Sequence, residues 1–168
     1  IRLLTLLPSA SPSRPIRVFL QWYPISSTPS YTAVSYCWGS PVFTHTISVN
    51  NDKINITRSA YTALQALRSP FRPRTIWLDA LCIDQASTAD QDCQIPLMPQ
   101  IYANAAEVTV WLGPSKTAAL ATALVDRLFL VNRLSQSAGT RFGYDVDVDA
   151  ARALKRMLRR EWFRRAWV

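Results

Sequence analysis

Three short clusters in this chain hold residue types that can do chemistry. Ser35-Tyr36-Cys37-Trp38-Gly39 closes one apolar run, and Trp111-Leu112-Gly113 closes another. Trp77-Leu78-Asp79-Ala80-Leu81-Cys82-Ile83-Asp84-Gln85 spans the end of a third. If those runs are strands of one open parallel sheet, their carboxyl ends share a rim, which is where such sheets bind ligands. The rim candidates are then Ser35, Tyr36, Trp38, Gly39, Asp79, Cys82, Asp84, Gln85 and Gly113. Trp38 would offer a flat apolar surface and Gly39 close backbone approach. Asp79, Asp84 and Gln85 would supply polar groups, which makes the composition of a small-ligand cleft. Each piece also has a plainer reading. Trp38 and Trp111 can be core aromatics, and Asp79 can cap a following turn. Asp79 and Asp84 stand five apart, a spacing that leaves open whether they form a general acid/base pair.

Other chemistries are excluded by what is missing. Three cysteines (Cys37, Cys82, Cys93) and one histidine (His45) form no CxxC or HExxH pattern, so no metal site is expected. An odd number of scattered cysteines is not a disulfide framework; they read as small buried hydrophobes in a reducing, intracellular and cytoplasmic setting. A Ser-His-Asp hydrolase would have to use His45, which lies in a polar β-rich segment with no nucleophile elbow nearby. Gly113-Pro114-Ser115-Lys116-Thr117 looks like a phosphate loop but lacks the glycine before the lysine and the upstream spacing. Ser115 is read as a helix cap and Lys116 as surface.

The elements that must position these residues follow from periodicity. Ile16–Trp22 alternates like a strand. Pro24–Ser30 is a loop, and Tyr31–Trp38 is a buried strand rich in aromatic and β-type residues. Thr44–Val49 and Lys53–Ile56 flank Asn50-Asn51-Asp52 as a hairpin. Thr57 caps a helix running to about Arg68, with Pro70 and Pro73 beyond it. Thr75–Leu78 is a short strand. Residues 90–106 have helical spacing at Ile95, Met98, Ile101, Tyr102 and Ala105, but Pro96 and Pro99 interrupt it and predict a late start or a kink. Val108–Leu112 is a strand. Ser115 opens a helix with the stripe Leu120, Leu124, Leu128 and Val131; Ser135–Gly143 is loop and Asp145–Asp149 an acidic patch. A last helix from Asp149 to about Glu161 sets Leu154, Met157 and Leu158 opposite Arg152, Lys155, Arg156, Arg159 and Arg160. The expected fold is α/β: a mostly parallel open sheet with helices on both faces and an added β-hairpin.

Length and charge set the frame. The chain has 168 residues, 49% of them hydrophobic and 18% charged, which suits a single domain over 1–168 with a real core. Ile1–Leu7 is too short for a secretory signal, and no apolar run approaches the ~20 residues of a membrane span. Beginning at Ile1 and stopping at Val168 in an aromatic-basic run, the chain reads as a fragment of a longer protein. The net charge is +8, and residues 151–168 hold seven Arg/Lys against one Glu. A solvated helix face explains that cluster better than phosphate binding, so neither nucleic acid nor a membrane is an expected partner.

Taken together, YTAVSYCWG, IWLDALCIDQ, MPQIYANAAEVTVWLG and WFRRAW, in that order and spacing, resemble the fungal heterokaryon-incompatibility (HET) domain. The opening IRLLTLLPS resembles the usual start of such proteins. The resemblance spans nearly the whole chain and marks as motif positions Tyr31, Trp77, Met98, Tyr102, Trp111, Trp162, Phe163, Arg165 and Trp167, besides the rim residues. The chain departs from the pattern at Asp84, where Asn is usual, and at Asp90-Gln91, where an acidic-arginine pair is usual, which removes an expected salt bridge. Pro96 and Pro99 enter a segment that is usually one helix. The resemblance implies a role in non-self recognition and the triggering of cell death. It further implies a distant likeness to flavodoxin-like TIR domains, many of which cleave NAD with a glutamate. By that likeness NAD would be a substrate, and the glutamate would belong to a Gln-Glu pair expected just after Val168, so no catalytic residue is assigned within the chain. The alternative is a non-enzymatic death-signalling adaptor that works by self-association or by docking protein partners.

Overall fold

The computed structural model describes residues 1–138 and 147–164. These fall into two compact units, residues 1–113 and the described part of residues 114–168.

The first unit is built on a seven-stranded sheet ordered β5-β4-β2-β1-β6-β3-β7. Its strands are β1 (Arg2–Leu6), β2 (Arg17–Trp22), β3 (Thr32–Tyr36), β4 (Phe43–Val49), β5 (Asp52–Thr57), β6 (Arg74–Trp77) and β7 (Glu107–Trp111). The middle strand is one that periodicity does not reveal. Leu3, Leu4 and Leu6 are all buried, so β1 is covered on both faces and shows no alternation. It runs antiparallel to β2 on one side and to β6 on the other.

That placement corrects the expected mostly parallel sheet. The sheet is mixed: β2–β4, β6–β3 and β3–β7 are parallel, whereas β1–β2, β1–β6 and β4–β5 are antiparallel. Nor is the order the 2-1-3-4-5 of a flavodoxin-like sheet. The reason lies in the N-terminal segment. Residues 7–16 join β1 to β2 with no helix between them, and a direct return without a crossover sets neighbouring strands antiparallel.

Helices cover both faces. Helix α1 (Arg58–Leu67) packs beneath the β4–β5 hairpin, where Tyr61 stacks on His45 with ring centroids 4.6 Å apart. Its start is fixed by Thr57, whose Oγ1 accepts a hydrogen bond from Ala60 N at 3.3 Å. The hairpin turn is Asn50-Asn51, both at positive φ (50° and 76°), as a two-residue turn between twisted strands requires. On the other face lie α2 (Asp79–Cys82), α3 (Thr88–Gln94) and α4 (Met98–Asn104), with Tyr102 edge-on to Trp77 at 5.5 Å. The two prolines divide this segment. A 3-10 turn at Ile95–Leu97 contains Pro96, and Pro99 sits in the first turn of α4, where an amide hydrogen is not needed.

The second unit contains α5 (Ala118–Ala138), α6 (Val148–Leu158) and a 3-10 turn at Glu161–Arg164. Helix α5 continues through residues 135–138, where a loop was expected. The rest of that loop, and residues 145–146 of the acidic patch, lie outside the described residues. Along α5, Ala121 and Leu124 are buried and Leu128 and Val131 partly so, while Leu120 is exposed. Ser115 Oγ accepts from Thr117 N at 3.2 Å, one turn before the helix. Asp147 caps α6 through Asp149 N at 2.9 Å.

Candidate functional site at the strand ends

Strands β6, β3 and β7 are adjacent and parallel, so the segments that follow them emerge on the same side of the sheet. The register pairs Tyr36 with Trp111, which sets Cys37-Trp38-Gly39 next to Leu112-Gly113. Both glycines turn at positive φ, +68° at Gly39 and +89° at Gly113, where a side chain would be strained. Helix α1 meets this edge too, because Ser59 Oγ donates to Cys37 O at 2.5 Å.

Asp79 is the node of the rim. Its Oδ2 accepts from Trp38 Nε1 at 2.8 Å and its Oδ1 from Ala80 N at 2.7 Å. Thus the carboxylate accepts from an amide in the first turn of α2 and ties the end of β6 to the end of β3. Tyr36 lies alongside with its side chain buried. Burial, and then the neighbouring Asp79 carboxylate, hold its hydroxyl far above the usual phenol range. Ser35 is half-buried on the same strand.

The loop after α2 is held from two directions. Gln85 Nε2 donates to Asp79 O at 3.0 Å, and Gln91 Nε2 donates to Gln85 O at 2.8 Å. From the other side, Arg2 on β1 donates from Nε to Cys82 O at 2.8 Å and forms an ion pair with Asp90. Asp90 also accepts from Asp84 N at 2.7 Å. The Arg2 guanidinium lies 4.9 Å above the ring of Trp22. Asp90 thus has a cation on β1, while Gln91, standing where the resemblance expects an arginine, serves as an amide tie. Nothing in a single sequence signals Arg2, which is separated from Asp90 by 88 positions.

The other candidates are placed as follows. Asp84 and Gln85 are exposed, and Asp84 Oδ1 accepts from Ala86 N at 3.0 Å in a local turn. Asp79 accepts from Trp38 and Ala80, and Asp84 from Ala86 within its own loop. Cys82 lies under the rim, fully buried, and burial pushes its thiol up to about 12. Trp77, Tyr31 and Ile101 are core residues, and Met98, Tyr102 and Trp111 pack against that core. Tyr31 Oη donates to Ile101 O at 2.5 Å, and Tyr102 Oη to Val34 O at 3.4 Å. The indole Nε1 groups of Trp77 and Trp111 are buried without an acceptor among the described residues. In the second unit Trp162 and Phe163 meet edge-on at 5.1 Å. Arg165 and Trp167 lie outside the described residues. Among the described residues no three His, Cys, Asp or Glu side chains converge as metal ligands. No helix there is long and apolar enough to cross a membrane.

Comparison with known proteins gives one family. The family described as "Heterokaryon incompatibility protein (HET)" matches residues 31–168. The chain is 37% identical, over 128 residues, to "Heterokaryon incompatibility protein 6, OR allele" of Neurospora crassa. That alignment takes in 68% of this chain, and the chain spans about a fifth of the relative's length (19%). No solved structure matches.

Proposed function

This chain belongs to the heterokaryon incompatibility (HET) family, and on that premise we propose that it acts inside fungal cells in heterokaryon incompatibility. In this reading it triggers cell death on non-self contact, and its strand-end rim binds an NAD-type nucleotide. The observation that carries the reading is the 2.8 Å bond from Trp38 Nε1 to Asp79 Oδ2. It fixes a half-buried indole by its edge at the ends of adjacent parallel strands and so favours ring-face contact with a planar base. Exposed Asp84 and Gln85 are suited to ribose hydroxyls, and Gly39 admits a phosphate or sugar close to the backbone. Asp79 then acts as a positioning residue. If cleavage accompanies binding, water replaces nicotinamide at the ribose carbon, and a carboxylate other than Asp79 steadies the oxocarbenium-like charge.

Titration calorimetry with NAD and with ADP-ribose tests this, on the protein and on a chain continued past Val168. Binding that Trp38→Ala weakens at least tenfold supports it. A chain that kills cells yet neither binds nor consumes NAD would overturn it. The second reading, a docking adaptor without chemistry, is favoured by a different observation: Val125, Phe129, Leu130 and Leu134 are exposed on α5. A lethal protein that stays monomeric and free of partners counts against that one.

A further inference from the structure

Within the second unit, α5 and α6 enclose an open trough of about 420 Å³. Its floor is apolar, made by Leu124 and Leu128 of α5 and by Ala151, Leu154 and Leu158 of α6. Leu158 is half exposed there, although its helical position makes it part of the apolar stripe. Lys155 and Arg159, one turn apart on α6, stand along the trough as its two cations.

The charges nearby are unevenly committed. Arg152 pairs with Asp149 at 3.3 Å, and Arg160 donates to Pro114 O at 3.1 Å. Lys155 and Arg159 have no acidic partner among the described residues. An apolar floor bordered by two uncommitted cations is complementary to an amphipathic helix whose apolar stripe is flanked by carboxylates. At 1.5 Å per residue, the 11 residues of α6 make a wall about 16 Å long, enough for roughly three turns of such a helix.

We propose that this trough is a docking site for an acidic amphipathic helix of a partner protein. A second copy of the chain does not fit. Among the described helices α1 and α4 carry no acidic residue, α5 carries one, and α6 would set its own cations against Lys155 and Arg159. The short helix α3 has two, but Asp90 is already bound to Arg2. A flat anionic surface fits less well than a helix, because the leucines line a concavity and do not project from it. The proposal stands apart from the nucleotide reading, since no rim residue enters it.

The test uses the whole chain and synthetic 16-residue helical peptides with Leu or Phe at i, i+4, i+7 and i+11. Their flanking positions are all Glu, all Gln or all Lys, and binding is read by fluorescence anisotropy. The Glu series is expected to bind at least tenfold more tightly than the Gln series, and the Lys series not to bind. The double variant Lys155→Glu, Arg159→Glu should reverse the order of the Glu and Lys series. Leu158→Glu, at a half-exposed position, should abolish binding while circular dichroism stays unchanged. Equal binding by all three series overturns the proposal, as does no binding by the Glu series or indifference to both variants. Tighter capture by phosphatidylserine vesicles, lost in Leu158→Glu, reassigns the trough to lipid and overturns it equally.

Discussion

Asp79 spends both carboxylate oxygens inside the fold, one on Trp38 and one on Ala80 N. Removing one partner leaves the other short of a hydrogen bond in a half-buried place. Each of Asp79→Ala and Trp38→Phe is therefore expected to cost about 1–3 kcal/mol in urea unfolding. A double-mutant cycle should show a clearly favourable coupling between them, and purely additive costs would mean the bond holds nothing. Cys82 makes a second prediction. Burial first of all raises its thiol from the ordinary 9.0 to about 12, so the folded chain keeps a proton that the unfolded chain gives up. Stability is intact below pH 9 and falls as pH rises from there toward 12. The buried Tyr36 hydroxyl, also raised, adds to the fall with the same sign. Alkaline unfolding midpoints measure this, and Cys82→Ala should flatten the decline. At pH 8, iodoacetamide should modify the exposed Cys93 and spare Cys82 until urea is added. The residue types at the rim could be read directly, but their commitments could not. An aspartate offered to a ligand and one bonded to an indole 41 positions away are the same letter.

At the scale of elements, the local signals were reliable where the physics is local. Thr57 caps α1 through a neighbour three residues on, and Asn50-Asn51 turns the hairpin by its own backbone preference. The two prolines start new helical turns, and neither lies inside a continuous helix. Hence Pro99→Ala should change stability by less than about 1 kcal/mol, far from the ~3 kcal/mol of an interior proline. The Arg2–Asp90 pair predicts the opposite kind of result. Both side chains are mostly buried, and Asp90 also holds the amide of Asp84. Arg2→Gln is expected to cost roughly 1–3 kcal/mol, since a carboxylate is left without its cation. The same variant should shift the Trp38 indole proton resonance, because the loop it frees is tied to Asp79 through Gln85. An unchanged resonance would show that the clamp and the rim are independent. No periodicity marks β1 as a strand, because a segment buried on both faces does not alternate.

At the scale of the molecule, the core that surrounds the rim closes within residues 1–111. Residues 1–113 alone are therefore expected to fold, with dispersed amide resonances and a cooperative unfolding transition. A collapsed spectrum would mean that this sheet needs the helices that follow it. One edge strand of that sheet is β7, where Val108 and Val110 are exposed. An isolated 1–113 chain should be more soluble when Val110 is replaced by Lys, since charge on an edge strand blocks pairing with another edge.

Features settled within a few residues are legible along the chain: the hairpin, the cap of α1, the breaks at Pro96 and Pro99, the basic face of α6 and the motif series that marks the family. Turn preference, capping and helical spacing act over one or two turns of chain, so a single sequence displays them. Packing of distant segments settled that Arg2–Leu6 holds the centre of the sheet, that the sheet is mixed, that Arg2 answers Asp90, and that Asp79 bonds the Trp38 indole. Those outcomes depend on which distant segment fills a neighbouring place, and that choice is set by burial and pairing summed over the whole unit.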